Sequence, residues 1–136
     1  MLAEANLIDS LQDFTWFYRG VPEESPELRD VVENGEVRPR RPGNVGEYAR
    51  YCHSINEMTD TGYTSWTIDR GIAEELARFA SEQAGLSGAI VIFRVRIDSI
   101  DDSRVFEGLA GEDEYLVEGI VEGVAFSEGV DDDNDE

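Results

Sequence analysis

The segment YTSWTIDRGIAEELARFA, residues 63–80, carries the clearest structural signal in the sequence. Its first five residues mix aromatic and hydroxyl side chains, which predicts a strand over 63–67. Asp69 then stands in an N-cap position, and apolar residues recur at the helical period up to Gly85, which predicts a helix over 70–83. The hydroxyls of the strand therefore lie beside a helix start, where they are placed to orient a ligand or another side chain.

Along the whole chain, the sequence patterns predict a mixture of helices and strands in the N-terminal part and only strands in the C-terminal part. On the N-terminal side the patterns predict a helix over 3–12, followed by a strand over 14–19 that is ended by Gly20 and Pro22. A second helix is predicted with Ser25 as N-cap, Pro26 at its first position and its end at 34–35. A third helix is predicted over 46–57. On the C-terminal side they predict a strand over 89–97 and short strands within 104–108, 114–119 and 120–126. This order predicts an α+β fold with mostly antiparallel pairing, as one domain over 1–128 followed by an acidic, disordered tail over 129–136.

The composition is strongly acidic. The 136 residues include 31 acids and 11 basic residues, for a net charge of -20, and every basic residue is an arginine. The acids are spread along the chain, which favours adaptation to a salt-rich, halophilic cytoplasm over a functional acidic surface. The second interpretation, an acidic face that mimics nucleic acid or binds a basic partner, remains open.

The same charge argues against several classes of function. A surface with this net charge repels phosphate backbones, so nucleic-acid binding is not expected, and anionic membranes are disfavoured for the same reason. The N-terminus lacks the features of a secretory signal, and no apolar stretch is long enough to span a membrane, so the expected location is cytoplasmic. Because Cys52 and His53 are the single cysteine and histidine, we expect no disulfide and no metal site.

Three polar features stand at strand ends inside otherwise apolar segments. They are Arg19 before Gly20, Ser65 with Thr64 and Thr67, and the acids Glu112–Glu114. A cation, a hydroxyl and paired carboxylates on one strand face could hold an anionic ligand and stabilise positive charge that develops on it. Taken singly, each feature also has an ordinary structural explanation as a salt bridge, a cap or a solvated charge.

Taken in order, these features resemble the arginine–serine–glutamate signature of mono-ADP-ribosyltransferases. The matching segments are FYRG with Arg19, then YTSWTIDRGIAEELARFA with Ser65, then EDEYLVEG with Glu112 and Glu114. The spacings are 46 residues from Arg19 to Ser65 and 49 from Ser65 to Glu114. The sequence departs from the family pattern at Trp66 and Thr67, where serine-rich motifs are common, and a tryptophan there could reshape a nicotinamide pocket.

The resemblance implies an ADP-ribosyltransferase-like fold with an NAD cleft and a role for each matching residue. Arg19, followed by Gly20, would hold the NAD diphosphate or the adjoining ribose. Ser65, supported by Thr67, would brace the catalytic glutamate and the nicotinamide side of the cleft, beside Trp66. Glu114 would bind the nicotinamide-ribose 2′-hydroxyl and stabilise the ribosyl cation, whereas Glu112 would orient or deprotonate the acceptor.

The function implied is transfer of ADP-ribose from NAD to a protein acceptor, with arginine as the expected acceptor side chain and no metal needed. Small stand-alone members of this family resemble toxins and effectors. The alternatives are NAD hydrolysis and a non-enzymatic acidic binding module, which would be a nucleic-acid mimic or an inactive relative of the family. The segment 36–46, with the basic cluster Arg38, Arg40 and Arg41, is the expected lid or target loop.

Overall fold

The computed structural model describes residues 11, 14–55, 59–108 and 113–128. Within these ranges the elements, in chain order, are β1 (Trp16–Pro22), α1 (Glu27–Asn34), α2 (Glu47–Ser54), β2 (Tyr63–Thr67), α3 (Arg70–Gln83), β3 (Ile90–Arg96), two short 3₁₀ turns (Ile97–Ser99 and Asp102–Arg104), β4 (Val105–Glu107), β5 (Glu114–Glu118) and β6 (Ala125–Glu128). The expected helix over 3–12, apart from Leu11, and the expected tail over 129–136 lie outside the described residues. In the described ranges, no helix has the length and apolar character to cross a membrane.

The six strands form one sheet in the order β4-β5-β2-β1-β3-β6, and every neighbouring pair is antiparallel. The predicted α+β class with antiparallel pairing is therefore confirmed. The strand over 63–67 and the helix over 70–83 have the predicted bounds. Asp69 caps that helix, because its side chain accepts hydrogen bonds from the backbone N–H groups of Gly71 and Ile72.

Several predicted boundaries are wrong. The helix expected over 46–57 spans Glu47–Ser54, and the last strand, expected over 120–126, spans Ala125–Glu128. The strand expected over 14–19 instead spans Trp16–Pro22, because β3 pairs with it along its whole length as far as the Pro22–Ile90 pair.

The prediction of Ser25 as N-cap is wrong, because helix α1 begins at Glu27, one residue later than expected, and Pro26 is the N-cap residue. The Ser25 hydroxyl still accepts a hydrogen bond from the Glu27 N–H at 3.2 Å. The predicted end of this helix at Gly35 is confirmed, since Gly35 has a φ of 66° in the left-handed region that ends many helices.

Helix α3 lies directly on the sheet. A Cβ at Gly20 would collide with the backbone carbonyl of Ala73, so glycine is needed there for the helix to approach β1 this closely. Ala73 and Ala77 of the helix pack on Ile90 and Ile92 of β3. Small residues on the helix and glycine on the strand thus set the distance between α3 and the sheet.

The central strands β1 and β2 separate soon after they meet. They share the single register pair Tyr18–Thr67, whereas β1 and β3 are paired over seven residues. Beyond Tyr18, the edge of β1 that faces β2 is left without ladder partners. The gap between these two strands is where the candidate site lies.

Candidate active site

A cleft of about 660 Å³ opens at this gap. Its volume lies within the range of small-molecule sites, roughly 300–1,000 Å³. The predicted site residues that the structure describes all line it, namely Arg19, Gly20, Ser65, Trp66, Thr67 and Glu114. Sequence positions that are up to 95 residues apart are therefore brought to one cavity.

Ser65 and Glu114 are held together by the pairing of β2 with β5. The register places Thr67 opposite Glu114 and Ser65 opposite Leu116, so all four side chains share a sheet face and Glu114 is the diagonal neighbour of Ser65. The Ser65 hydroxyl donates a hydrogen bond of 2.9 Å to Oε2 of Glu114. One carboxylate oxygen of Glu114 is thereby oriented by the serine.

The other carboxylate oxygen of Glu114 is exceptional. Oε1 is buried and has no hydrogen-bond partner among the described residues. A buried carboxylate oxygen without a partner loses its hydration without compensation, which is unfavourable by about 1–3 kcal/mol or more. An atom in this state suits a ligand that supplies a hydroxyl donor or a positive charge.

Gly108 makes this position of the carboxylate possible. A Cβ at Gly108 would collide with the Glu114 side chain, and the Gly108 N–H donates a hydrogen bond of 2.8 Å to the backbone oxygen of Glu114. Gly108 has no local sequence pattern that indicates this role. Its place at the end of β4, facing the start of β5, is apparent only from the strand pairing.

Arg19 spans the gap between β1 and β2. Its Nη1 donates a hydrogen bond of 3.0 Å to the backbone oxygen of Ser65. Its Nε and Nη2 form a bidentate pair with the Glu27 carboxylate at 2.8 and 2.7 Å. Burial alone would lower the pKa of Arg19, but the charge and hydrogen bonds of Glu27 outweigh it and the pKa is raised, so the guanidinium is charged. Arg19 and Glu114 therefore flank Ser65 from two sides.

Gly20, Trp66 and Thr67 line the cleft but also have structural contacts. Gly20 provides the close approach of α3 described above. The Trp66 indole is 1% exposed, belongs to the main core and donates from Nε1 to the Thr64 hydroxyl at 2.8 Å. The Thr67 hydroxyl accepts from the Asp69 N–H at 3.1 Å, which fixes the turn into α3. Each of the three thus shapes the cleft while it supports the fold.

Of the acidic motif Glu112–Glu114, the structure describes Asp113 and Glu114. Glu112 lies outside the described residues. Asp113 lines the cleft next to Glu114 and has a φ of 70°. This left-handed conformation is uncommon for residues with a side chain, although aspartate adopts it more readily than most. The chain therefore turns sharply just before Glu114 enters β5.

The segment 36–46 forms one wall of the cleft, with Arg38 and Arg40 among the lining residues. It is fastened by backbone hydrogen bonds at several points: Val37 pairs with Val121, the Arg41 N–H donates to Thr61, and the Gly62 N–H donates to Asn44. Arg38 lies 2.8 Å from Glu36 and Arg40 lies 3.6 Å from Asp60, and both arginines are more than half exposed. The expected basic loop thus lies beside the candidate site.

His53, at the end of α2, also lines the cleft, and the sequence analysis assigned it no role there. Burial, together with the charges of Arg19 and Arg40, lowers the pKa of His53 to about 4. The imidazole is therefore neutral at pH 7, and its Nδ1 lies 2.7 Å from the Thr61 hydroxyl. The sequence around a single histidine on an amphipathic helix does not indicate whether the histidine lines a cleft or packs in the core.

The charges of the cleft differ from those of the chain as a whole. Three arginines and three acids line it, whereas the chain has 31 acids and 11 arginines. Arg19, Arg38 and Arg40 are the cations, and Asp113 and Glu114 stand together at β5. An elongated ligand that is anionic in one part and becomes cationic in another can find complementary groups in this cleft.

No protein-family model matches the sequence, and no match was found among curated proteins. Among solved structures, the fold is similar to EcPltA with a TM-score of 0.54 and 12% sequence identity, over 85% of this chain and 83% of that chain. Similarity at this identity shows the fold alone. The chain has an α+β, ADP-ribosyltransferase-like fold, built on a six-stranded antiparallel sheet with helices packed against it.

Proposed function

We propose that this protein is an NAD-dependent mono-ADP-ribosyltransferase that transfers ADP-ribose to arginine side chains of a protein acceptor. The observation that carries the proposal is the connected set Arg19–Ser65–Glu114 in one cleft, with the Oε1 atom of Glu114 buried and unpartnered. The similarity of the fold to EcPltA, which is consistent with an ADP-ribosyltransferase-like fold, supports it.

The residues of the cleft offer partners to two chemically distinct parts of NAD, the nicotinamide ribose and the diphosphate. Glu114 lines the cleft and can accept a hydrogen bond from a hydroxyl of the nicotinamide ribose, and its Oε1, now buried against Gly108, would turn outward to receive it. Arg19, Arg38 and Arg40 offer cations to the diphosphate. The neutral His53 adds no charge to the cleft at pH 7.

In the proposed reaction, the bond between C1′ of the ribose and the nicotinamide nitrogen breaks, and the nicotinamide leaves as a neutral molecule with the electron pair. The positive charge moves to the C1′–O4′ unit of the ribose. Glu114, oriented by the Ser65 hydroxyl, stabilises this charge because a fixed carboxylate in a partly buried site interacts strongly with a cation that forms beside it.

The acceptor then attacks C1′ with a nitrogen lone pair and loses one proton. The resemblance assigns the positioning or deprotonation of the acceptor to Glu112, which adjoins the cleft residue Asp113 in the sequence. If water replaces the acceptor, the same steps hydrolyse NAD. In this proposal, the choice of arginine as acceptor depends on the residues at the acceptor side of the cleft, whereas cleavage of the bond between ribose and nicotinamide depends on Ser65 and Glu114.

The test incubates the purified full-length chain with NAD, with and without agmatine as an arginine mimic, at low and at high salt. Nicotinamide and ADP-ribosyl-agmatine are measured by chromatography. We expect nicotinamide release that agmatine stimulates. For Glu114→Gln we expect a loss of about 100-fold or more, by analogy with the removal of one transition-state hydrogen-bond partner in other enzymes.

Glu118→Gln is the matched control. Glu118 ends the same strand, β5, but does not line the cleft, so its activity should stay within about twofold of the parent protein. If no nicotinamide is released under any condition, the catalytic proposal fails and the acidic binding module becomes the better interpretation. If nicotinamide is released without any ADP-ribosyl-agmatine, the protein is an NAD hydrolase and the transferase proposal is wrong.

A further inference from the structure

The guanidinium of Arg19 is already engaged inside the protein. Three of its five N–H donors make hydrogen bonds: Nε and Nη2 with the Glu27 carboxylate, and Nη1 with the Ser65 backbone oxygen. The bidentate edge that arginine presents to a phosphate is therefore occupied by a carboxylate. The pair is well shielded, with both side chains 21% exposed.

Glu27 is part of the cleft and not behind it, because both Arg19 and Glu27 line the cavity. It belongs to the first turn of α1, and the hydrogen bond from its N–H to Ser25 helps to fix the start of this helix. An anionic ligand that approaches Arg19 therefore meets a neutral ion pair, with the Glu27 carboxylate repelling it at short range.

We propose that Glu27 is an internal competitor for the anionic part of the ligand: a diphosphate gains the bidentate edge of Arg19 only by displacing the Glu27 carboxylate. This inference rests on the proposed function for the identity of the ligand. Glu27 then lowers the affinity for every ligand whose charge is too small to displace it and sets a threshold that favours diphosphates. The resemblance assigned no role to Glu27.

The cleft provides a second cation for the displaced carboxylate. Arg40 is close enough for its charge to act on Glu27, and its own partner Asp60 is 3.6 Å away in an exposed position. A carboxylate that lost Arg19 and found no other partner would be left buried and uncompensated, which is strongly unfavourable. Arg40, which lines the same cleft and is 69% exposed, is the cation nearest to hand for the displaced carboxylate in the part of the chain that the structure describes.

The experiment measures the affinity of the full-length chain for ADP-ribose and for inorganic pyrophosphate by calorimetry, in the parent protein and in three variants. Glu27→Gln removes the competing charge, and we expect binding to tighten by about tenfold, since a charge-assisted pair is worth roughly that factor or more. Glu27→Asp keeps the charge but is one methylene too short to reach both nitrogens. We expect binding to this variant to tighten by at least about threefold.

Glu33→Gln is the control for a general change of charge. Glu33 lies on the same helix, is 62% exposed, pairs weakly with Arg29 at 3.9 Å and does not line the cleft. We expect its affinity to stay within about twofold of the parent protein, because exposed charges are screened by solvent.

Unchanged or weaker binding in both Glu27 variants would overturn the inference. So would tighter binding in Glu27→Gln without any gain in Glu27→Asp, because this result would indicate only a long-range effect of charge. If the Glu27→Gln protein does not fold, the affinity of the Glu27→Asp protein for pyrophosphate and ADP-ribose tests the inference by itself. The readout needs no catalysis: a chain that cleaves no NAD but binds pyrophosphate more tightly in both Glu27 variants would contradict the proposed function and support this inference.

Discussion

Ser65 and Glu114, which are 49 positions apart in the sequence, share a hydrogen bond of 2.9 Å between Oγ and Oε2 across the β2–β5 pair. The contact depends on register: a slip of one residue between these strands would turn the two side chains to opposite faces of the sheet. The orientation of the Glu114 carboxylate is thus a consequence of how two distant strands pair.

Removal of this hydrogen bond should impair catalysis more than binding. In Ser65→Ala the Glu114 carboxylate loses its orienting donor, and we expect kcat for nicotinamide release to fall about 10- to 100-fold with little change in KM, as for a lost hydrogen bond to a charged group. Ser65→Thr should restore much of the rate because it keeps the hydroxyl. Steady-state kinetics with NAD measures both effects.

Ser103→Ala is the control for this prediction. The Ser103 hydroxyl donates to the Asp101 carboxylate at 2.9 Å, which is the same type of contact at a position that does not line the cleft. Its kinetics should match the parent protein. Equal activity in Ser65→Ala and Ser103→Ala would contradict an orienting role for Ser65.

Gly108→Ala should disturb Glu114 from the opposite side. The added methyl group would collide with the Glu114 side chain and push the carboxylate from its position, so we expect a loss of nicotinamide release on the order of 100-fold, as for other small misplacements of a catalytic group. The check is the NAD cleavage assay combined with a thermal melt. A folded Gly108→Ala protein with full activity would show that the position of the carboxylate is not critical.

Gly20→Ala tests whether the glycine after Arg19 serves the fold. Its methyl group would meet the Ala73 carbonyl, which is backbone and cannot rotate away, so we expect the free energy of unfolding to fall by about 2 kcal/mol or more. Gly43→Ala is the matched control, because a Cβ there meets nothing within 4 Å. Urea denaturation compares the two. A Gly20→Ala protein of unchanged stability that binds ADP-ribose poorly would assign Gly20 to the ligand instead.

His53 should remain neutral well below pH 6. Burial and the charges of Arg19 and Arg40 lower its pKa to about 4, and because it is the single histidine, its Cε1 proton gives an unambiguous NMR titration. Since the unfolded chain takes up this proton near pH 6.5, the contribution of His53 to stability is complete above that pH and is lost as the pH falls toward 4. A titration midpoint near 6.5 would contradict this picture of the cleft.

The elements with strong local signals were predictable. The strand over 63–67 and the helix over 70–83 have their predicted bounds because hydrophobic period, the cap Asp69 and the helix-ending residues act within a few positions of each other. The end of β1 was predicted at residue 19, before Gly20, whereas the strand continues to Pro22. Gly20 does not end the strand, because β3 continues to pair with β1 beyond it. A glycine is present at this position because α3 packs too closely on β1 to leave room for a Cβ.

The candidate site was predictable only in part, for the same reason. Arg19, Ser65 and Glu114 could be selected by their order and by a family resemblance, but Glu27, His53 and Gly108 stand in segments whose local pattern is ordinary. Their importance comes from partners that are distant in the sequence: Arg19 for Glu27, the arginines of the cleft for His53, and Glu114 for Gly108.

The amino-acid sequence by itself determined the class of the fold, the composition of its charge and the candidate site residues, because these depend on residue type and short-range period. The tertiary structure decided which of the 31 acids lie in the cleft, among the residues that it describes. Strand pairing placed Glu114 against Ser65, and the parting of β1 from β2 placed Arg19 and Glu27 at the same cleft. A charge acts according to its distance from other charges and from water, and only the folded chain sets these distances.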